Sequence, residues 1–178
     1  MAGLAPWGDR GRAVAWAVLA VAVATIGGAF LFEHGFGYVP CKLCLLQRQP
    51  YYAAMPVALF AAIVPADGRQ TLPWRRLSLT LLALLFVASA ALGLYHAGVE
   101  WGWWLGPSDC GGGAVPTGRD VADLMKALNG VRVVSCTEAA WRFAGLSLAG
   151  WNALISAALA TLSGWAAVQP REKVRCPG

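Results

Sequence analysis

Apolar stretches recur four times along the chain, separated by segments in which charge, glycine and proline collect. The first, 13–32, has no charge over a length of about 30 Å as a helix, which matches the hydrocarbon thickness of a bilayer. Further stretches run over about 43–64, 77–99 and 143–168. The third and fourth are uncharged throughout and too long for buried helices of a small soluble domain. The second differs, because Gln47, Arg48 and Gln49 lie in its first turns. The pattern predicts an all-α membrane protein, a four-transmembrane-helix bundle forming one integral membrane domain over 1–178. Arg10 and Arg12 precede the first stretch as the charged region of a secretory signal would. The run is too long for a signal, and no A-x-A-like cleavage site follows, so it is expected to stay as the first span.

Composition points the same way. The chain is 58% hydrophobic and 13% charged, against about 45–50% and about 25% in soluble domains. That excludes disorder, which needs low hydrophobicity. Five cysteines in 178 residues are too few for a disulfide-dense miniprotein. Lys and Arg are unevenly placed: Arg10, Arg12, Arg69, Arg75, Arg76, Arg171, Lys173 and Arg175 all fall on one side of the expected bilayer. That side is read as cytoplasmic, with both termini. The net charge of +5 is then a feature of topology, and nucleic acid needs no place among the partners.

The outer segments are a short loop over about 33–42 and a long one over about 100–142. Trp101, Trp103, Trp104 and Trp141 flank the third and fourth spans, where an aromatic belt anchors a membrane protein. Within the long loop Val121, Leu124, Met125 and Leu128 recur at helical spacing, predicting a short amphipathic helix on the membrane surface.

Cys41, Cys44, Cys110 and Cys136 lie on the outer side, and Cys176 lies in the cytoplasmic tail, where it is read as a bystander. Cys41-Lys42-Leu43-Cys44 is a C-x-x-C motif, compatible with half a zinc site, haem attachment or a redox dithiol. Haem attachment is excluded, because Leu45 stands where histidine is required. A zinc site would recruit Cys110 and Cys136. The redox reading is favoured, since Cys44 sits at a helix N-terminus with Lys42 and Arg48 nearby, and both dipole and charge stabilise thiolate. Arg48 lies four residues after Cys44 on the same helical face. A guanidinium costs about 2.5–3.5 kcal/mol at the centre of a span and less near the interface, so Arg48 either snorkels or donates to a polar group held beside Cys44, such as a quinone carbonyl. Cys110 and Cys136 share a loop containing Gly111, Gly112, Gly113, Pro107 and Pro116. A bridge closing it would contribute roughly 3–4 kcal/mol in the chain-entropy model, so a structural disulfide and a redox pair are both open.

With these residues in view, the chain resembles the DsbB family of bacterial inner-membrane disulfide-bond formation proteins. The likeness rests on the four spans, on Pro40-Cys41-Lys42-Leu43-Cys44 followed by Gln47-Arg48, on Cys110 and Cys136 between the third and fourth spans, and on Trp141-Arg142-Phe143-Ala144-Gly145-Leu146-Ser147 before the last. The resemblance implies redox disulfides Cys41–Cys44 and Cys110–Cys136, with the cysteine loops periplasmic. It implies a partner, a periplasmic thioredoxin-fold oxidase of the DsbA type, which attacks the long-loop disulfide at Cys110. Electrons would pass to Cys41 and Cys44, and from Cys44 to ubiquinone or menaquinone bound near Arg48 and His96. A quinone is the expected sink, because passing electrons from a DsbA-type couple near about −120 mV to a thioredoxin couple near about −270 mV is uphill; that this system keeps the periplasm oxidising is a known property of the family. Gln47 departs from the glutamate often found before the arginine. Vitamin K epoxide reductase-like proteins join similar groups, but there the C-x-x-C follows the loop pair in chain order, whereas here it precedes it. A membrane protein with zinc-bound or structural outer cysteines is the non-catalytic alternative.

Overall fold

The computed structural model describes residues 7–64, 71–107, 132–133 and 135–169. Four long helices account for most of them: α1 (Trp7–Phe30), α2 (Lys42–Ile63), α3 (Thr71–Glu100) and α4 (Leu148–Val168). Arg10–Gly35, Pro73–Glu100 and Leu148–Val168 are long and apolar enough to cross a membrane. The 22 residues of α2 would reach about 33 Å, but its first turns carry Lys42, Gln47, Arg48 and Gln49.

The bundle buries one face of each helix and leaves the other apolar as well. Along α2 the buried face runs through Leu43, Gln47, Tyr51, Ala54, Ala58 and Ala61, spaced by three and four residues, with Pro50 and Ala62 buried beside it. Leu45, Leu46, Leu59, Phe60 and Ile63 stay exposed on the outside, a distribution that suits lipid rather than water. Small residues set the packing distance between α3 and α4. A Cβ added at Gly93 would stand 2.9 Å from the Ala153 backbone nitrogen and 3.1 Å from the Ala149 carbonyl oxygen. Close backbone approach through glycine, alanine and serine is how helices associate where apolar burial alone gives no preference for protein over lipid. At the end expected to be cytoplasmic, Arg75 donates to the carbonyls of Ala61 and Val64, and Arg76 donates to that of Gln169 at 2.5 Å. Two arginines of α3 thereby satisfy carbonyls at the C-termini of α2 and α4.

The helix boundaries depart from the sequence expectation at one span. The stretch 143–168 becomes helical only at Leu148. Before it, β3 (Arg142–Phe143) and β4 (Leu146–Ser147) pair antiparallel around a tight turn in which Ala144 has φ 51° and Gly145 φ 83°. Two consecutive positive φ angles suit a two-residue hairpin, and Ser147 then caps α4 by accepting from the Gly150 N–H at 3.2 Å. A second ladder also lies outside the all-α expectation: β1 (Tyr38–Val39) pairs parallel with β2 (Arg132–Val133). The predicted amphipathic helix around Val121–Leu128 falls outside the described residues.

Candidate functional site

The β1–β2 ladder ties the end of the long outer loop to the short one, immediately before Cys41. Cys136 is disulfide-bonded and fully buried, and it packs in one cluster with Cys41, Leu43 and Val99, against which Cys44 also rests. Cys110, its expected partner, lies outside the described residues, as does Cys176. The structure thus brings Cys136 to the C-x-x-C, two segments almost a hundred residues apart in the chain.

Cys41 and Cys44 are free thiols whose sulfurs stand 2.8 Å apart. Cys41 is the N-cap of α2, and its sulfur accepts from the Cys44 backbone N–H at 3.2 Å. That geometry follows from Pro40 and an extended backbone at Cys41, φ −73° and ψ 168°, which points the side chain back over the first turn. The hydrogen bond shared with the Cys44 sulfur is the largest influence on Cys41. Together with the His96 imidazole and the Cys44 N–H it outweighs burial and lowers the thiol from 9.0 to about 4.

Cys44 faces the other way, into a cavity of about 300 Å³. The wall is apolar where α1 and α4 meet, with Ala24, Gly28, Ala149 and Ile155, and polar at the end where Gln47, Arg48, His96 and Glu100 converge. Such a pocket, apolar with a few polar groups at one end, has the character of a small-molecule site. Arg48 donates to Glu33 Oε2 at 2.7 Å and lies over the Phe30 ring at 5.5 Å. Glu33 reaches it because α1 loosens into a π-helical turn over Leu31–Gly35. The carboxylate partner stabilises a guanidinium in this position, which the sequence had left to snorkelling or to a ligand.

His96, on the last turns of α3, is buried between the two. Its Nε2 lies 3.8 Å from the Cys41 sulfur and 3.9 Å from Glu100 Oε1, and its Nδ1 is 2.6 Å from Gln47 Nε2. From Gln47 a polar chain continues away from the thiols. Asn152 Nδ2 donates to Gln47 Oε1 at 2.6 Å, the Tyr51 hydroxyl donates to Asn152 Oδ1 at 2.8 Å, and Tyr51, Ser156 and Ser89 follow at 2.9 Å steps. Glu100 Oε2 is buried with no hydrogen-bond partner among the described residues.

The sequence reading named Cys41, Cys44, Arg48, His96 and Cys136, and the structure gathers these five. It passed over Glu33, Glu100, Asn152, Tyr51, Ser89 and Ser156. A signal was present for the last four, since polar side chains at helical spacing within apolar spans require partners. Cys41, Cys44 and His96 have donor atoms within 4.8 Å of one another. Among the described residues that is one short of the four ligands a structural zinc site takes; of the two further ligands expected, Cys136 is disulfide-bonded and Cys110 lies outside the described residues.

Comparison with known proteins agrees with this geometry. The family described as "Disulfide bond formation protein DsbB" matches residues 11–166. A "Disulfide bond formation protein B" of Marinobacter nauticus is 31% identical over 82% of this chain and 84% of its own length, and one of Albidiferax ferrireducens is 29% identical over 80% and 81%. An uncharacterized protein of Rickettsia prowazekii is 25% identical over 92% and 91%. No solved structure matches the chain.

Proposed function

The chain belongs to the DsbB family of disulfide bond formation proteins, membrane thiol oxidoreductases, and on that premise we propose that it reoxidises a periplasmic thioredoxin-fold oxidase of the DsbA type and passes the electrons to a membrane quinone, ubiquinone or menaquinone. One observation carries this reading. The buried dithiol has two faces, with Cys41 packed against Cys136 and Cys44 lining an apolar cavity that also holds Arg48 and His96.

The steps follow from that placement. A thiolate of the reduced partner attacks the Cys110–Cys136 disulfide and leaves as an oxidised protein, with two electrons retained on the loop pair. A loop thiolate then attacks the Cys41–Cys44 disulfide at Cys41, the sulfur beside which Cys136 is buried, and Cys44 is released as the leaving thiolate. Closing the loop disulfide frees Cys41, a good leaving group because its thiolate is stabilised. The result is a Cys41–Cys44 dithiol. A quinone in the cavity would supply a two-electron acceptor. Arg48 and His96 are the donors that would hold and orient its polar end, and the walls of α1 and α4 would exclude water. In this reading α2 is the remaining span, both termini are cytoplasmic, and the cysteine loops face the periplasm of a bacterial inner-membrane protein.

The test mixes the purified, detergent-solubilised protein with a reduced DsbA-type donor and follows quinone absorbance, beside a Cys44→Ser control. Reduction that the control abolishes is expected. An unchanged rate in Cys44→Ser, or no reduction with folded protein and quinone present, refutes the relay.

A further inference from the structure

The thiol relay uses neither Gln47 nor Asn152 nor Tyr51, yet these side chains, Gln47 and Tyr51 buried and Asn152 half-buried, form an unbroken chain that ends on His96. We propose that Gln47 and Asn152 are positioning residues that lock His96 in the Nε2–H tautomer, so that the imidazole donates toward the Cys41 sulfur.

The argument is one of donors and acceptors. An amide can be turned end for end, so the chain is self-consistent in two directions, one leaving Nδ1 of His96 as an acceptor and the other requiring a proton there. The opposite side of the ring decides between them. Nε2 faces the Cys41 sulfur at 3.8 Å and Glu100 Oε1 at 3.9 Å. With the sulfur as thiolate and the carboxyl as carboxylate both atoms are acceptors, and a proton on the nitrogen between them gives them a donor to face. A neutral ring with Nε2–H has a bare Nδ1, which must accept, and Gln47 Nε2 at 2.6 Å donates to it. Gln47 Oε1 then has to accept, which it does from Asn152 Nδ2, and Asn152 Oδ1 accepts from the Tyr51 hydroxyl. Each link sets the direction of the next, from α4 through α2 to α3.

The groups facing His96 are Cys41 and Cys44 at the start of α2, Gln47 on α2 and Glu100 on its own helix. Arg48, Glu33, Tyr38 and Tyr51 share the cavity, with Arg48 and Glu33 paired to each other. Polar side chains buried in an apolar bundle are costly unless fully bonded. A chain that spends three of them on one imidazole nitrogen specifies the state of that ring. The consequence for catalysis rests on the proposed thiol relay: a fixed N–H beside Cys41 keeps its sulfur ready as a thiolate.

Imidazole 15N resonances distinguish the tautomers, and the chain has only two histidines, His34 and His96, so a His34→Gln spectrum completes the assignment. The sample is the reduced, quinone-free full chain in detergent. For His96 the expected result is a bare, acceptor-type Nδ1 and a protonated Nε2. Gln47→Glu, of nearly the same size and measured at about pH 8, above the ordinary carboxyl range, presents an acceptor only and is expected to move the proton onto Nδ1. Asn152→Ala, which frees the Gln47 amide to turn, is expected to give a mixture of the two tautomers. A wild-type ring protonated at Nδ1 overturns the proposal, as does a Gln47→Glu spectrum identical to wild type. Because no quinone is present, a protein showing the expected spectrum but no quinone reduction would sink the relay and leave the lock standing.

Discussion

At the residue scale, the state of Cys41 controls when the dithiol can react. Its thiol is lowered from 9.0 to about 4, first by the hydrogen bond shared with Cys44 and then by His96 and the Cys44 N–H, against the opposing effect of burial. Taken by itself, a Cys41 thiol held below its ordinary value adds stability to the reduced protein at alkaline pH, and this contribution is lost as the pH falls. Ultraviolet thiolate absorbance of the reduced protein is therefore expected to persist to a pH well below the ordinary thiol range, with its midpoint under 9.0. His96→Ala should raise the midpoint and make the Cys41–Cys44 pair less oxidising, since stabilisation of the reduced form raises the potential. An unchanged midpoint would remove His96 from the thiol's environment. Arg48 acts on the other side of the dithiol. Arg48→Met is expected to raise the KM for quinone by about tenfold, the scale of one charged hydrogen bond, with thiol exchange at the long loop intact. Loss of exchange instead would mean that Arg48 supports the loop cysteines and not the cavity.

At the element scale, the site depends on how closely α3 approaches α4. Gly93 lies one helical turn before His96, and its missing side chain lets the Ala153 backbone come within contact distance. Gly93→Val should therefore separate the helices at an overpacking cost of about 1–3 kcal/mol, lowering the thermal midpoint in detergent. The same separation pulls Asn152 away from Gln47, so the His96 resonances should broaden or split; a stable Gly93→Val protein with an unaltered spectrum would contradict this coupling. Much of the architecture was legible from hydrophobic runs alone, since an uncharged stretch of membrane length has few other fates. The start of α4 was not, because Phe143 to Leu146 are apolar and hide a hairpin whose only local sign is Gly145. The thiol motif was legible from spacing. The union of Cys136 with Cys41 was not, because it is made by a backbone ladder between Tyr38–Val39 and Arg132–Val133, and two-residue strands leave no periodicity to read. Glu33 was missed for a similar reason: it meets Arg48 only because α1 unwinds into a wider turn.

At the scale of the whole molecule, the fold separates two kinds of traffic. On the proposed function protein partners would meet the cysteine loops, whereas the cavity beside Cys44 is walled by α1 and α4, two helices with exposed apolar surfaces. A quinone reaching it from the bilayer would pass between them, where α1 presents Ala24, Gly28 and Ala29. Small residues on that wall leave room that packing does not otherwise need: a Cβ added at Gly28 meets nothing within 4 Å. A larger side chain there fills the cavity without displacing a neighbour, so the fold should accept it; glycine in a helix interior is also the less favourable residue by roughly 1 kcal/mol against alanine. Gly28→Leu is accordingly expected to keep or slightly raise the thermal midpoint, to leave exchange between the reduced donor and the loop disulfide unchanged, and to raise the KM for quinone severalfold. Stopped-flow donor oxidation and quinone absorbance on the same sample separate the two effects. Slowed exchange with normal quinone kinetics would place the acceptor elsewhere than the α1–α4 cavity. A rise confined to KM would locate the acceptor's route along this wall, with Cys44 at its inner end.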